Sequence, residues 1–525
     1  MGIPIWRRFD ATPLRGGPDQ CVDTLIVGAG PVGLTLALDL ARRSHRVTIV
    51  NKLDFIARGS RAICFSKRSL DIWDRLGIGQ AMLAKGVTWN VGKVFWGGGE
   101  LPVYQFDLLA VKDQKNPAFI NLQQYHVEDI LQRALLAMQN VDLRWGHRVD
   151  EIDASGENVT VGVCTADGRY TIKTKWLIAC DGHKSTVREL MGEDFEGRIF
   201  EDNFLIADIK IKEKRPAERC FWFNPPFNPG QSALLHKQPD DVWRLDFQLG
   251  WNIDRELSIL PRNVEPLVRG LLGQDAEFSE EWYSVYTFQC RRMARFVHDR
   301  VIFAGDSAHL VSPFGARGCN GGLSDADNLG WKLDLILRGE AGSSLLESYN
   351  MEAVATADEN ILNSTRSTDF MTPKTEASRA FRDAVLELAK HHRFARPFVN
   401  SGRLSTAVNF PQSPLNTPDE EGADWSGIAP GSPALDAPLG TEWLLQSIGA
   451  DFVLLTNGWN PGPMEGLRVL ELQTRQVDAS IALERYDLSG NSAYLIRPDQ
   501  YVAARWRRPT VQRIQDALSR AKGHN

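Results

Sequence analysis

A glycine-rich turn near the start of the chain constrains its fold more than any other feature. The hexapeptide GAGPVG at 28–33 follows a short apolar segment, 24–27, and precedes a segment whose apolar residues have helical spacing. This is G-x-G-x-x-G between a predicted strand and a predicted helix, with a second strand predicted over 46–50. Gly28 allows the tight turn, Gly30 lets the backbone approach a pyrophosphate, and Gly33 lets helix and strand pack closely. The pattern therefore predicts a Rossmann-like unit that binds a dinucleotide, and it fits FAD and NAD(P) equally.

The second predicted strand leads to Asn51, at the position where an acidic residue usually binds the ribose hydroxyls. An amide can accept one hydrogen bond there, but it lacks the charge-assisted pair of a carboxylate. We therefore expect a nucleotide site at this turn with Asn51 as a weaker ribose contact.

A second strand–loop–helix unit spans 301–332. Its four apolar residues, 301–304, predict a buried strand that stops at Gly305-Asp306, and a loop containing Pro313 follows. The next helix has apolar positions spaced three and four residues apart, and the amides of Gly318, Cys319 and Asn320 lie where it begins. A carboxylate beside free N–H groups suits a ligand that has a polyol chain and a part that gains negative charge.

A third motif follows an apolar strand predicted over 176–179. It reads DGHKSTVR, from Asp181 to Arg188, and a helix is expected after it. A chance Asp-Gly turn is the alternative, but the strand before and the helix after argue against it.

These three motifs resemble those of the class A flavoprotein monooxygenases, the FAD-dependent aromatic hydroxylases. The third matches the D-G-x-x-S-x-V-R motif of that family position by position, and 301–332 resembles its Gly-Asp motif. The resemblance implies that Asp306 holds the ribitol chain of FAD and that Asp181 lies near the pyrophosphate and the incoming nicotinamide nucleotide. It also implies that the amides of Gly318, Cys319 and Asn320 face the pyrimidine edge of the flavin.

The resemblance implies three more cofactor contacts. Arg61, in an Arg-Ala pair on a loop, corresponds to the arginine beside the mobile position of the flavin, and a solvated arginine is the alternative. Gln124 begins a Q-x-x-x-E pattern whose glutamine faces FAD in relatives, and an exposed polar helix start is the alternative. Val149, at a predicted strand edge, corresponds to a backbone contact to adenine.

Residues 191–290 alternate apolar and polar side chains with the period of a β-strand. This pattern predicts a mostly antiparallel sheet with one face covered, which resembles the substrate domain of the family. We expect His236, Asp246, Tyr286 and Pro313 to line the substrate pocket, with His236, Tyr286 and Pro313 as candidate catalytic residues. A structural role is the alternative for each.

The predicted fold is α/β, with a Rossmann-like FAD-binding domain, an inserted and mostly antiparallel substrate-domain sheet, and a C-terminal thioredoxin-like domain. The predicted segments are a tail (1–20), the FAD-binding domain (21–190 and 291–345), the substrate-binding domain (191–290), a helical segment (346–404), a proline-rich linker (405–440) and the C-terminal domain (441–525). The last resembles the thioredoxin-like tail of the phenol hydroxylase and 3-(3-hydroxyphenyl)propionate hydroxylase branch. Because no cysteine follows Cys319, we expect that domain to lack active cysteines.

Composition narrows the choice of partners. A net charge of −6 argues against nucleic acid or an anionic membrane as a partner. No apolar run approaches the length of about 18 residues that a membrane-spanning helix needs. The seven cysteines are scattered without metal-ligand spacing, which indicates reduced thiols, no metal site and a cytoplasmic location. A homodimer is an open expectation.

The expected function is hydroxylation of a phenolic or other electron-rich aromatic substrate. In the resembled family NAD(P)H reduces FAD, O2 forms a flavin C4a-hydroperoxide, and its distal oxygen attacks the ring. A single glycine fingerprint is sufficient, since NAD(P)H binds transiently there. The alternatives are another flavin-dependent oxidoreductase on the same scaffold and a non-catalytic flavin-binding sensor or assembly module, which would not consume NAD(P)H and O2.

Overall fold

The computed structural model describes residues 5–13, 19–57, 59, 61–89, 91–107, 111–399, 406–420, 425–472 and 478–524. Parts of the predicted tail (1–4 and 14–18) and of the predicted linker (405 and 421–424) lie outside the described residues.

The N-terminal part of the chain alternates strands and helices. Its elements are β1 Ile5–Arg8, β2 Asp19–Val27, α1 Pro31–Arg42, β3 Val47–Asn51, β4 Phe55–Ala57, β5 Cys64–Ser66, α2 Lys67–Arg75, α3 Gly79–Lys85, β6 Val87–Thr88, β7 Val91–Trp96, β8 Tyr104–Asp107, β9 Phe119–Asn121, α4 Gln124–Leu136, β10 Val141–Trp145, β11 Arg148–Asp153, β12 Val159–Thr165, β13 Gly168–Ala179 and α5 Thr186–Leu190.

Long strands follow, and then long helices. These elements are β14 Glu196–Ile211, β15 Arg219–Phe223, β16 Ser232–Lys237, β17 Val242–Gly250, α6 Arg255–Ser258, α7 Pro261–Leu272, β18 Phe278–Arg292, β19 Val297–His298, β20 Val301–Phe303, β21 His309–Leu310, α8 Gly318–Leu337, α9 Leu345–Met371, α10 Glu376–His391 and α11 Arg396–Val399. The C-terminal elements are β22 Pro438–Leu439, β23 Glu442–Trp443, α12 Leu444–Ile448, β24 Val453–Thr456, β25 Arg468–Glu471, α13 Ser480–Arg485, β26 Ala493–Ile496, β27 Val502–Trp506 and α14 Val511–Ala521.

The first sheet positions the cofactor motifs. Its parallel strands lie in the order β10-β3-β2-β13-β20, and β12 and β11 extend it in antiparallel fashion. β2 leads into the glycine turn, and α1 begins at Pro31, a residue suited to the first helical position. The predicted strand–turn–helix unit is therefore confirmed. Since the carboxyl ends of parallel strands meet at one edge of a sheet, β2, β13 and β20 bring Gly28, Asp181 and Asp306 to the same edge.

The second sheet is mostly antiparallel, as predicted, in the order β21-β18-β14-β17-β16-β15-β7-β8. β7 and β8 belong to it although they come from 91–107, a stretch that the sequence assigned to the FAD-binding domain. One face, with Leu245 and Phe247, packs on α7. The opposite face, here called the inner face, is covered as well, because Arg244 reaches the carbonyl of Arg61 at 3.4 Å. The expectation of a single covered face was too simple, and Arg244 and Gln248 are buried.

The C-terminal unit has its own sheet in the order β25-β24-β26-β27, in which only β24 and β25 pair in parallel. Its apolar residues form a core with α14 and also contact Trp331 and Leu335 of α8. The strand order is compatible with a thioredoxin-like domain, and that assignment stays a prediction.

A buried network of charges joins this unit to α8 and α9. Arg497 donates to both oxygens of Glu352, at 2.6 and 3.0 Å, and Lys332 of α8 lies 2.8 Å from the same carboxylate. Arg497 also donates to Asp499 at 2.9 Å, and all four side chains are buried. Opposite charges and hydrogen bonds offset the desolvation of each group. The network therefore fixes the C-terminal unit to the helix whose first turn contributes to the site described below.

Candidate active site

The glycine turn is packed tightly at two of its glycines and open at the third. Gly28 has φ +108°, and a Cβ there would lie 2.4 Å from the carbonyl oxygen of Cys180, while a Cβ on Gly33 would lie 2.2 Å from the oxygen of Gly28. A Cβ on Gly30 would meet nothing within 4 Å. Gly28 and Gly33 therefore serve the packing of the turn, and the space beside Gly30 is available for a pyrophosphate.

The side chain of Asn51 braces this turn. Its Oδ1 accepts a hydrogen bond from the amide of Ala29 at 3.0 Å, and its Nδ2 donates to the carbonyl of Leu53 at 3.0 Å. These contacts explain why an amide suits the position, because a carboxylate cannot donate the second bond. The proposed ribose contact of Asn51 stays a prediction.

Asp306 lies three residues beyond the end of β20 and is exposed. Within the part of the chain that the structure describes, no hydrogen-bond donor reaches its carboxylate. Desolvation by the surrounding protein raises its pKa, and the nearby His309, His183 and Arg61 oppose that rise. The carboxylate is thus available for the hydroxyl groups of a ligand.

A buried pair beneath Asp306 was missed by sequence reasoning. Asp325 of α8 accepts the amide of Gly305 at 2.9 Å, and the same oxygen lies 2.7 Å from Nε2 of His309. Desolvation lowers the pKa of His309, but the charge of Asp325 outweighs it and leaves that pKa raised. The pair fixes the backbone on both sides of Asp306. The sequence signal for this pair is Asp325 itself, an acidic residue at a position of α8 that faces the core.

The start of α8 supplies free amides. Helical geometry leaves the N–H groups of Gly318, Cys319 and Asn320 without an intrahelical acceptor, and the first amide that bonds back is that of Gly321, to Arg317 at 2.8 Å. The Asn320 side chain accepts the amide of Ser66 at 2.9 Å and donates to the carbonyl of Cys64 at 3.0 Å. The helix start is therefore held against β5 while its amides remain able to bind an anionic group.

Gln124 and Glu128 organise the loop that carries Arg61. Gln124, the first residue of α4, accepts the amide of Ala62 at 3.2 Å and donates to Glu128 at 2.7 Å. Desolvation raises the pKa of Glu128 to about 7, against the hydrogen bond from Gln124 and the charge of Arg61. The Arg61 side chain is exposed. Gln124 thus has a structural partner already, and its contact with FAD stays a prediction.

Asp181 and Arg188 tie the third motif to the first two. Asp181 accepts the hydroxyl of Ser185, the N-cap residue of α5, at 2.6 Å and the amide of Val187 at 3.1 Å, so it stabilises the start of that helix. Arg188 donates to the carbonyl of Ser307 at 2.8 Å, beside Asp306. Val149 is buried on β11, the edge strand of the first sheet. These positions are compatible with the proposed pyrophosphate and adenine contacts, which stay predictions.

The three candidate catalytic residues differ in burial. Tyr286 is 48% exposed and Pro313 is exposed. Desolvation and the charge of Asp306 raise the pKa of Tyr286 to about 12. His236 is instead buried, with Nε2 3.2 Å from Asp246 and Nδ1 without a partner. Burial, with a contribution from Arg219, lowers its pKa to about 4. His236 is therefore neutral at pH 7, and it lies buried beside Asp246.

The residues present fit FAD. The open space at Gly30 suits a pyrophosphate, the unpaired carboxylate of Asp306 suits ribitol hydroxyls, and the amides at the start of α8 suit a pyrimidine edge that becomes anionic. Among the described residues no group of three or more His, Cys, Asp or Glu side chains could hold a metal ion. In the same residues no helix is long and apolar enough to cross a membrane.

Comparison with known proteins shows which family the chain belongs to. Residues 21–364 match the model of the family described as FAD binding domain. A protein from Comamonas testosteroni named 3-(3-hydroxy-phenyl)propionate/3-hydroxycinnamic acid hydroxylase is 30% identical over 370 residues, which cover 69% of this chain and 61% of that protein. A protein of the same name from Escherichia coli O139:H28 is 28% identical over 461 residues, covering 87% of this chain and 81% of that protein.

Solved structures share the fold over nearly the whole chain. The flavin-dependent monooxygenase PieE, in complex with FAD and substrate, has a TM-score of 0.81 at 20% identity and covers 97% of this chain and 100% of that one. Aklavinone-11 hydroxylase, in a ternary complex with FAD and aklavinone, has a TM-score of 0.78 at 20% identity and covers 96% and 99%. The predicted α/β architecture of a flavoprotein monooxygenase is therefore confirmed.

Proposed function

We propose that this protein hydroxylates a phenolic acid and uses NAD(P)H as its reductant. The chain belongs to the FAD-binding family that its residues 21–364 match, and it is an FAD-dependent aromatic hydroxylase. The observation that carries this proposal is the unpaired carboxylate of Asp306 at the sheet edge, beside the free amides of α8 and opposite Tyr286. A site of this kind would bind a flavin beside Asp306 and a substrate beside Tyr286.

Bound FAD would supply hydride acceptance and activation of O2. The protein would hold it through Asp306, the glycine turn and the start of α8. The amides of that helix start and the cationic Arg61 stabilise negative charge near Asp306. We propose that this positive potential favours reduction of the bound cofactor.

Tyr286 and Pro313 are exposed and would contact the substrate. With a pKa near 12, Tyr286 is protonated at neutral pH and donates a hydrogen bond to the oxygen of a phenol. Phe288 packs beside it with the rings tilted, at 5.4 Å between ring centroids, and Phe314 packs edge-on 5.3 Å from Phe288. An aromatic substrate therefore meets a polar group and an apolar wall in one place.

A phenolic acid is proposed because the two relatives described above are named for 3-(3-hydroxy-phenyl)propionate and 3-hydroxycinnamic acid. NAD(P)H is proposed because the chain carries a single glycine fingerprint, at Gly28, which FAD would occupy. The nicotinamide nucleotide would then bind transiently beside Asp181.

The direct test measures NAD(P)H oxidation by the FAD-loaded protein with a panel of phenols. We expect slow oxidation alone and at least tenfold acceleration by a phenolic acid, with a hydroxylated product. Acceleration without a hydroxylated product, or acceleration by none of the phenols, would refute this function and leave another flavin reaction or a sensor role.

We also propose a homodimer in the cytoplasm. All seven cysteines are free thiols, as expected for a reducing compartment. Four large apolar side chains on α10 and the segment after it, Phe381, Leu388, Phe394 and Phe398, are between 44% and 66% exposed. Exposed apolar residues grouped in this way are typical of an interface. Analytical ultracentrifugation of the wild type and of Phe394→Asp tests the assembly, and a wild-type monomer would contradict it.

A further inference from the structure

A buried arginine on the inner face lacks an anionic partner among the described residues. Arg219, the first residue of β15, is 3% exposed. Within the described part of the chain, its Nη1 donates only to the sulfur of Cys64, at 3.6 Å, and its Nε has no acceptor. Among the described residues no carboxylate lies within ion-pairing distance of it. The rings of Trp89 and Phe221 lie 5.6 and 5.0 Å from the guanidinium.

A second arginine on the same face, Arg244, has a carboxylate partner. Arg244 donates to both oxygens of Asp208, at 2.9 and 3.0 Å. The protein thus neutralises one buried guanidinium with its own carboxylate and leaves the other with aromatic rings and a thiol. Cation–π contacts contribute only about 0.5–2 kcal/mol, less than the cost of burying an unpaired charge. The buried positive charge of Arg219 is therefore not neutralised by a carboxylate of the described residues.

Arg219 lies at the end of the inner face that is nearest to Cys64 and the start of α8. Cys64, which contacts its guanidinium, accepts a hydrogen bond from Asn320 at the start of α8 through its carbonyl, at 3.0 Å. Arg244, paired across the strands with His236, donates to the carbonyl of Arg61 at 3.4 Å. The polar end of the inner face therefore adjoins both loops that approach the flavin.

The opposite end of the inner face is apolar. Phe204, Phe288 and Phe314 pack there with Leu234 and Phe223. A ligand that spans the face would place an aromatic body towards the apolar end and an anionic group towards Arg219. Tyr286, exposed beside Phe288, lies along this path.

We propose that Arg219 binds the carboxylate of an aromatic acid substrate and so determines specificity for acids over neutral phenols. This inference rests on the proposed function and assigns the residue that recognises its substrate class. A guanidinium already freed from water can hold a carboxylate through two charge-assisted hydrogen bonds. The side chain acts on binding and orientation and not on the oxygen transfer itself.

The test compares an acid with its uncharged counterpart in the FAD-loaded full chain. The probes are 3-(3-hydroxyphenyl)propionate and 3-(3-hydroxyphenyl)propanamide, and the readouts are Kd from the flavin absorbance change and kcat/KM from NAD(P)H oxidation. Arg219→Met should weaken binding of the acid about 10- to 100-fold and that of the amide less than threefold. Arg219→Lys should retain part of the affinity for the acid, because lysine keeps the positive charge but cannot form the two parallel hydrogen bonds of a guanidinium. Arg133→Met, at a side chain that is 69% exposed, is the matched control and should change neither ligand.

Two results would overturn the inference. One is an Arg219→Met variant that holds FAD and binds the acid as the wild type does, or that loses acid and amide equally. The other is a wild type that does not bind the acid. If Arg219→Met fails to fold, the acid-to-amide ratio of Arg219→Lys decides, and an unchanged ratio refutes the proposal. If Arg219 proves not to bind the acid but the wild type still hydroxylates a neutral phenol, only the role of Arg219 is refuted. If the wild type hydroxylates no phenol, the proposed function itself is refuted.

Discussion

Replacing Gly30 by alanine should separate cofactor binding from folding. The backbone at Gly30 has φ −83° and ψ 179°, which alanine adopts without strain, and a Cβ there meets nothing within 4 Å. The apo protein should therefore be as stable as the wild type, or more stable by about 0.4–1 kcal/mol, because alanine restricts the unfolded chain. The new methyl group would instead occupy the space that the pyrophosphate needs.

The expected loss of FAD affinity follows from that displacement. A phosphate pushed away from the turn loses at least one hydrogen bond from a backbone N–H, worth about 1.5–3 kcal/mol when the acceptor is charged. This corresponds to about a 10- to 150-fold rise in Kd. Gly28→Ala should behave in the opposite way, because φ +108° and the contact with Cys180 destabilise the folded turn itself.

The assay has two arms. Urea unfolding of the apo proteins measures stability, and titration with FAD, followed by quenching of flavin fluorescence, measures affinity. Gly156→Ala, in a turn where a Cβ has room, is the control for a glycine-to-alanine change away from the site. Wild-type FAD affinity in Gly30→Ala would show that the pyrophosphate does not lie at this turn, and the reasoning would fail.

Three other perturbations have defined outcomes. Asp306→Ala should leave the chain folded but raise the Kd for FAD at least tenfold, seen as low flavin absorbance after purification, and full flavin content would contradict the ribitol role. Arg497→Met should destabilise the protein by about 3–5 kcal/mol in urea unfolding, since Glu352 and Asp499 lose their buried partner, and a change below 1 kcal/mol would refute the importance of this network. His236 has a folded pKa of about 4 against 6.5 unfolded, so the unfolded state takes up its proton first and stability falls by up to about 3 kcal/mol between pH 6.5 and 4. His236→Gln should remove that part of the pH dependence, and an unchanged pH profile would show that His236 is not buried as described.

The parts of the site that sequence predicted are local in the chain. The turn at Gly28 and the carboxylate of Asp306 each follow a buried strand, and the geometry of a strand end needs no distant partner to be recognised. The same holds for the absence of cysteines after Cys319, which continues to predict a C-terminal unit without thiol–disulfide exchange.

The parts that sequence did not predict depend on contacts between distant residues. Asp325 reaches His309 and Gly305 only after α8 folds back over the loop, and Glu352 meets Arg497 across 145 positions. Strand alternation shows which residues share a face but not what covers that face. For this reason strand alternation predicts that His236 lines the pocket, whereas its burial beside Asp246 favours a structural role.

As a hydroxylase, this protein should transfer one oxygen atom from O2 to a phenolic ring. Turnover of a phenolic acid with NAD(P)H under 18O2, with mass spectrometry of the product and simultaneous oxygen uptake, measures that transfer. We expect one 18O atom in each hydroxylated product and an uptake of one O2 for each product formed. A product with oxygen from water, or oxygen uptake that yields only hydrogen peroxide across the whole panel of phenols, would contradict it.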